Sequence, residues 1–278
     1  MARTSIIYLI LAIISVAIAF LPVYITFIGS FVSMGDLFTP VLIKHFLPSS
    51  LTLKNYVQLF YNTPYLRWLF NSTFIAVVYT ILGLFLCSLA GYAFAVYNFK
   101  GKEVLFSILI FSVAIPEFVT IVPNFIIFSR LGLVNNYLSV ILPFVAHPFG
   151  IFIARQYMQQ IPVEILHSAR IDGCPEFKIY YKIMLPLCRP ALAALGVFLF
   201  IHAWNLYLYP LVLLQDPEMF TVQLGLAMLG TVLEYPQETV EYTGVLGGVT
   251  IAVIPIMIMF ALMQREFIAG LTGRAVKG

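Results

Sequence analysis

A few side chains that could take part in chemistry stand inside long apolar stretches of this sequence. Polar groups in such stretches are costly, and they usually face protein or a water-filled path. An indole and a phenol could stack on a sugar ring while an amide bonds its hydroxyls; equally, the groups could bond one another or carbonyls freed beside prolines. The candidate solute-path residues are Glu117, His202, Trp204, Asn205 and Tyr207.

No pattern typical of catalysis is present. The four histidines (His45, His147, His167 and His202) fall in different elements, without metal-ligand spacing. The three cysteines have no redox or metal spacing, and no G-x-x-x-x-G-K-[ST] phosphate loop occurs. We therefore expect no catalytic residue, no metal and no cofactor bound by this chain. Energy must come from another chain or from an ion gradient.

The elements that position these residues are long apolar segments. The 278 residues are 62% hydrophobic and 10% charged, with mean hydropathy +0.99, a composition typical of an integral membrane protein. A span needs about 20 residues, and only helices or closed barrels satisfy their backbone in lipid. The sequence predicts an all-α bundle, one transmembrane domain over 1–278, with spans at about 6–28, 69–96, 104–128, 134–154, 191–214 and 244–263.

The distribution of positive charge predicts the orientation. Lys and Arg concentrate on the cytoplasmic side of membrane proteins. With both termini in the cytoplasm, the loop 155–190 and the tail 264–278 lie inside, and only four of the 15 lysines and arginines lie outside. The first apolar run is longer than a typical signal-peptide core, so we expect it to be retained. The four outer cations are Lys44, Lys54, Arg67 and Arg130.

Small residues recur every fourth position on one face of two spans. Such residues let helices approach closely in membranes, and we favour packing within the chain over a dimer seam. Prolines inside the spans predict kinks. The two stripes are Gly83, Cys87, Gly91 and Ala95, and Gly244, Gly248 and Ala252.

The loop between the fourth and fifth spans, residues 161–190, predicts two short helices that meet at a glycine. Pro162 suits a first helical turn, and Gly173 would end that helix with a positive φ. A second helix would begin at Pro175 and end at Pro186. We call this segment the elbow; its apolar surface could fold back on the bundle or dock a partner.

The elbow resembles the motif loop of the binding-protein-dependent ABC permeases. Their pattern is P-x-E-L-x-E-A-A-x-x-D-G-A followed by P-x-x-x-P. The matching residues here are Pro162, Glu164, Ala169, Asp172, Gly173, Pro186 and Pro190. His167 and Ser168 replace the motif's glutamate and first alanine, and Cys174 its last alanine. Trp204-Asn205-Leu206-Tyr207 and the ending from Gly270 to Gly278 are similar to carbohydrate-type, MalG-like members.

This resemblance implies a type I ABC importer permease with the MetI-like fold, in the bacterial inner membrane. It implies a second permease subunit in a heterodimer, and two ABC ATPase subunits that hold ATP and Mg²⁺. It also implies an extracytoplasmic solute-binding protein as a partner, and no nucleic acid is expected to bind. The imported solute would be a sugar or oligosaccharide. The implied ATPase-coupling residues are Glu164, His167, Ser168, Ala169, Asp172 and Gly173, with C-terminal ATPase contacts at Thr272, Gly273 and Lys277.

Two other classes remain as alternatives. A stand-alone secondary transporter or channel commonly has internal repeats and several mid-span ionisable residues, and the sequence shows no convincing repeat and one mid-span acid, Glu117. A membrane enzyme requires clustered ligands or paired acids at one membrane face. An acidic outer loop, residues 215–243, is either a solvated surface or, as the resemblance implies, a contact for the binding protein.

Overall fold

The computed structural model describes residues 2–37, 50–231 and 242–275, and within these ranges it is built from helices without strands. This confirms the all-α fold class. The α-helices are α1 (Ala2–Gly29), α2 (Met34–Leu37), α3 (Lys54–Asn62), α4 (Tyr65–Val96), α5 (Lys102–Ser112), α6 (Ile121–Arg130), α7 (Tyr137–Ile141), α8 (Pro148–Met158), α9 (Val163–Ile171), α10 (Glu176–Ile179), α11 (Leu185–Leu187), α12 (Arg189–Trp204), α13 (Leu208–Leu213), α14 (Val222–Thr231) and α15 (Tyr242–Ala275).

Three of these helices are long and apolar enough to cross a membrane by themselves: α1, α4 and α15. Three bent pairs pass the same test jointly, with bends of 97° between α5 and the Glu117–Arg130 segment, 43° before α8, and 83° before α12. Counting each bent pair as one span gives up to six spans in the described residues. The second span begins at Tyr65, four residues before the predicted start at 69.

The spans predicted as continuous at 104–128, 134–154 and 191–214 are each broken. A proline has no N–H to donate and disfavours a helical residue before it. Accordingly, α5 ends before Pro116, and α8 begins at Pro148. In the third case α12 ends at Trp204, and Pro210 lies in the first turn of the new helix α13, where the missing N–H costs little.

The chain forms two compact units. The first comprises Met1–Leu69 and Leu224–Ile254. Its buried Asn55 amide donates to the carbonyls of Ser30 and Val32, both at 2.8 Å, and its amide oxygen accepts from Thr243 at 3.1 Å. These hydrogen bonds fix the loop between α1 and α2 by pairing two of its backbone carbonyls.

The second unit comprises Phe70–Gln223 and Pro255–Gly278. Here the predicted small-residue stripe on α4 packs within the chain, as expected. A Cβ added at Gly91 would lie 2.5 Å from the Ala154 Cβ and 2.9 Å from the Arg155 backbone nitrogen, and one at Gly150 would lie 2.8 Å from the Cys87 sulfur. Helices α4 and α8 therefore approach so closely that neither glycine has room for a side chain.

Candidate functional site

The first group of candidate functional residues centres on the break in the third span. After Pro116, whose backbone is extended (φ −63°, ψ 133°), a short 3-10 helix over Glu117–Thr120 joins α5 to α6. The break places the Glu117 side chain, 47% exposed, beside helix α12. A carboxylate at a helix break has free acceptor capacity for a neighbouring donor or ligand.

His202, on α12, meets that carboxylate. Its Nε2 lies 2.8 Å from Glu117 Oε1, and its Nδ1 lies 3.2 Å from the hydroxyl of Tyr79. The Tyr79 ring also stacks on the imidazole, with centroids 5.7 Å apart at 24°. Both ring nitrogens of His202 are therefore engaged, and the ring orientation is fixed by α4 on one side and by the break on the other.

His147 completes the group from a third segment. It precedes α8, and its ring centroid lies 5.1 Å from that of His202 at 79°. Its Nδ1 is buried without a hydrogen-bond partner among the described residues. One ligand atom from each of Glu117, His147 and His202 lies within 4.8 Å of the other two, a grouping that could hold a metal ion. Their sequence separation did not indicate this proximity.

Cavities surround the group. One of about 300 Å³ is bounded by Glu117, His147, Thr120 and Asn124. A second cavity, of about 210 Å³, is bounded by Glu117, Asn205 and Tyr207. Four of the five residues predicted for the solute path thus lie together on cavity walls, namely Glu117, His202, Asn205 and Tyr207.

Trp204 does not join them. Its side chain is 1% exposed and its ring stacks on Phe200, 5.8 Å away at 16°, because successive residues of a helix point to different faces. The structure therefore does not support the prediction that the Trp204 ring lines the solute path.

Polar residues that sequence reasoning missed also line this region. The Tyr209 hydroxyl lies 2.6 Å from the hydroxyl of Thr120 and accepts from the Asn124 amide at 2.8 Å. The sequence could have indicated Asn124, because it is a polar residue next to Pro123 in an apolar stretch. It could not have indicated Tyr79, because a tyrosine in a hydrophobic helix is usually a core residue.

The elbow forms the second group. Helix α9 ends at Ile171, and Gly173 follows with φ +74°, confirming the predicted left-handed turn. The Cys174 N–H donates to the Ala169 carbonyl at 2.9 Å and the Gly173 N–H to the Arg170 carbonyl at 3.0 Å. This pair of bonds is the Schellman motif, which satisfies the carbonyls at a helix end.

The second helix of the elbow runs further than predicted. Helix α10 passes into a π-helical turn, Tyr180–Met184, and then into α11, so that the axis bends only after Leu187. The prediction that Pro186 ends this helix is wrong, because Pro186 lies within the helical segment that continues to Leu187.

A single carboxylate ties the two elbow helices to the end of α4. Glu176 accepts from Arg170 Nε at 2.6 Å and Nη2 at 3.3 Å, and from the hydroxyls of Tyr92 and Tyr97 at 3.1 and 2.8 Å. The hydrogen bond from Arg170 lowers the pKa of the Glu176 carboxyl below its ordinary value. The elbow is thereby hydrogen-bonded to the end of helix α4. We call these four residues the Glu176 hub.

The elbow has a buried face and an exposed face. Leu166, Ala169, Ile179, Tyr180 and Met184 pack in one core cluster with Tyr92. Of the predicted coupling residues, Ala169 is therefore buried in the chain's own core, whereas the others are exposed: Glu164, His167, Ser168, Asp172 and Gly173. Large apolar side chains are exposed beside them, including Ile171 (85%) and Phe177 (62%).

The predicted C-terminal contacts are only partly within the described residues. Thr272 and Gly273 lie in the long helix α15, and Lys277 lies outside the described ranges. In the acidic outer loop, the Asp216 side chain caps a short helix by accepting from the Glu218 N–H at 3.0 Å. Residues 232–241 of that loop also lie outside the described ranges.

Broken apolar helices around cavities with a few polar wall residues are typical of membrane transport proteins. The fold matches a solved one: the crystal structure of a bacterial ABC transporter involved in the import of the acidic polysaccharide alginate superposes with a TM-score of 0.82, at 24% identity, over 96% of this chain and 97% of that chain. This likeness supports the MetI-like permease fold.

Sequence comparison identifies the family. Residues 83–269 match the model of the binding-protein-dependent transport system inner membrane component, and the chain belongs to that family. The arabinooligosaccharides transport system permease protein AraQ of Halalkalibacterium halodurans is 40% identical over 94% of this chain and 92% of its own length. The lactose permease protein LacG of Rhizobium radiobacter is 33% identical, over 76% and 75%.

A third relative, the sn-glycerol-3-phosphate transport system permease protein UgpE of Agrobacterium fabrum, is 32% identical over 95% of this chain and 93% of its own length. Together these findings show that the chain is a permease subunit of an ABC importer, a transport component rather than an enzyme. They do not favour a stand-alone secondary transporter or channel.

Proposed function

We propose that this chain forms half of the translocation pathway of an ATP-driven importer for a sugar or oligosaccharide in the bacterial inner membrane. A second permease subunit supplies the other half, two ATPase subunits bind ATP and Mg²⁺, and an extracytoplasmic binding protein delivers the solute. Both termini and the elbow lie on the cytoplasmic side. This chain binds no cofactor for that transport step.

The observation that carries the coupling role is the exposed face of the elbow. A Schellman turn holds a short helix rigidly, and the Glu176 hub ties it to α4, so the helix can move as one body with a partner. The exposed apolar residues of the elbow, Ile171 in α9 and Phe177 in α10, form a surface that an ATPase subunit could cover. The coupling contacts are then Glu164, His167, Ser168, Asp172 and Gly173.

In this proposal Ala169 supports the coupling helix from behind, because its side chain is buried. Thr272, Gly273 and Lys277 supply a second ATPase contact from the C-terminal tail. Neither role depends on the solute.

The solute path runs past Glu117, His202, Asn205 and Tyr207. No Lys or Arg lines the cavities beside Glu117 in the described residues, whereas phosphate recognition generally uses Arg or Lys. The chemistry of these walls therefore favours a neutral solute over a phosphate ester. The names of the AraQ and LacG relatives, which specify arabinooligosaccharides and lactose, point the same way. UgpE, which is named for a phosphate ester, is less similar to this chain, at 32% identity against 40% for AraQ.

The test is uptake by the reconstituted transporter. The complex is purified through this chain, its partners are identified, and any sugar held by the binding protein is determined by mass spectrometry. We expect ATP-dependent uptake of a labelled neutral oligosaccharide and none of glycerol 3-phosphate. Uptake without ATPase subunits, or preference for the phosphate ester, would contradict the proposal.

A further inference from the structure

Three side chains of metal-ligand type meet at the break in the third span. Glu117 comes from the 3-10 segment, His147 from the residue before α8, and His202 from the last turn of α12. One ligand atom of each lies within 4.8 Å of the others. We propose that these three residues form a binding site for a first-row divalent transition cation, with Zn²⁺ as the best fit.

The donor set suits that class of ion. Two imidazoles and one carboxylate are a common ligand set of zinc sites that keep a further position open for water or another ligand. In a tetrahedral site with metal–ligand bonds of about 2.0–2.2 Å, the ligand atoms stand about 3.3 Å apart. The three ligand atoms lie within 4.8 Å of one another, so they need to move only slightly closer together. Glu117, which is 47% exposed at the helix break, has the freedom to do so.

A hydrogen-bonded pair of Glu117 and His202 accounts for only part of this arrangement. It leaves the Nδ1 of His147 buried without a partner among the described residues, although buried polar atoms are ordinarily paired. A cation that takes an imidazole nitrogen of His147 as its third ligand gives that ring a polar partner. The adjoining cavity of about 300 Å³, bounded by Glu117 and His147, provides entry and room for a fourth ligand.

A supporting residue is also in place. Metal-binding histidines generally hold their second nitrogen in a hydrogen bond that fixes the ring. Here the Tyr79 hydroxyl lies 3.2 Å from His202 Nδ1, which leaves Nε2 directed at Glu117. Tyr79 is thus a positioning residue, and the aromatic rings of Phe144 and Phe198 pack around the imidazoles.

The three ligands join three segments that are separate along the chain. A bound cation links the break in the third span to α8 and α12 and restricts their movement relative to one another. Transport requires such segments to rearrange around the solute. Zn²⁺ is therefore expected to inhibit uptake, independently of which solute is carried.

The experiment measures metal content directly. The tag-free complex is stripped with a chelator, titrated with Zn²⁺ without nucleotide, and analysed by mass spectrometry of the metal; Co²⁺ serves as a spectroscopic probe. We expect one site per chain with a tetrahedral Co²⁺ spectrum. His147→Ala and His202→Ala should abolish it, and Tyr79→Phe should weaken it about 10- to 100-fold.

The matched control is His167→Ala, which removes an exposed elbow histidine and should leave the metal content unchanged. Inhibition of uptake by Zn²⁺ is then compared in each variant relative to its own metal-free rate, and we expect it to disappear with His147→Ala. Zn²⁺ binding that is unaffected by His147→Ala in a correctly assembled complex, or an absence of binding to the wild type, would overturn the proposal.

Discussion

Replacing Gly173 by valine perturbs the elbow through the backbone alone. Gly173 has φ +74°, and a Cβ added there meets nothing within 4 Å, so no side-chain clash contributes. An L-residue in the left-handed region costs about 1–2 kcal/mol, and a β-branched residue lies at the upper end. Since about 1.4 kcal/mol is a factor of ten in an equilibrium, the native turn should lose roughly a factor of ten in population against other geometries.

The assay follows both insertion and coupling. Gly173→Val should insert into the membrane at the wild-type level, because the turn lies outside the spans, and should lose most uptake and most binding-protein-stimulated ATP hydrolysis. Gly173→Asn should retain much of both, since asparagine tolerates a positive φ. The matched control is Gly101→Val, where φ is +83° and the site is equally open.

Gly101 precedes α5 and lies outside the elbow, so its valine variant has similar strain without the coupling defect. If Gly173→Val transports normally, the rigid turn is unnecessary for coupling. If both valine variants fail equally, the loss reflects general strain, and the turn at Gly173 has no special role in coupling.

Three other changes test separate parts of the structure. Glu176→Gln weakens the bond to Arg170 and should lower uptake per ATP hydrolysed. Because folding lowers the pKa of the Glu176 carboxyl, the hub stabilises the folded chain above the unfolded pKa, and this stabilisation is lost as pH falls through the folded pKa. Thermal unfolding of wild type and variant across pH measures the difference. Gly91→Val forces a Cβ to within 2.5 Å of Ala154 and should destabilise the chain by about 1–3 kcal/mol, reducing its level in membranes. Trp204→Phe should leave the KM for uptake unchanged, since the indole is buried, whereas Asn205→Ala, on a cavity wall, should raise it.

Each of these has a result that contradicts it. A pH profile of stability identical in wild type and Glu176→Gln would mean that the hub contributes nothing. For Gly91, the control is Gly196→Ala, whose added Cβ makes only ordinary contact with Leu84 at 3.4 Å; equal loss in both variants would argue against close helix packing. A large change in KM for Trp204→Phe would indicate that the indole lines the solute path.

The features that depend on local sequence were predictable. Gly173 ends a helix because glycine alone adopts a positive φ without cost, and the stripe of Gly83, Cys87 and Gly91 marks a close helix contact because small residues at that spacing have little other use in a membrane. The six apolar segments followed from length and hydropathy in the same way. In each case the cause lies within a few residues of the effect.

Features that depend on tertiary contacts were not predictable. His147 and His202 are 55 positions apart, and only the break at Pro116 brings Glu117 to them. The buried position of Trp204 follows from where α12 ends, and the π-helical turn at Tyr180 carries the second elbow helix past Pro186. None of these is set by local propensity, because each depends on which segments pack together.

Site-specific cross-linking can show whether the exposed face of the elbow docks on an ATPase subunit. Native Cys174 is replaced by serine, and the buried Cys87 and Cys188 are retained. One additional cysteine is then placed at Ser168 on the exposed face or at Ala169 on the buried face. We expect an ATPase cross-link from position 168 that changes in yield with ATP, and none from position 169. A reagent-accessible cysteine at 168 that never cross-links to an ATPase in the active complex would contradict this expectation.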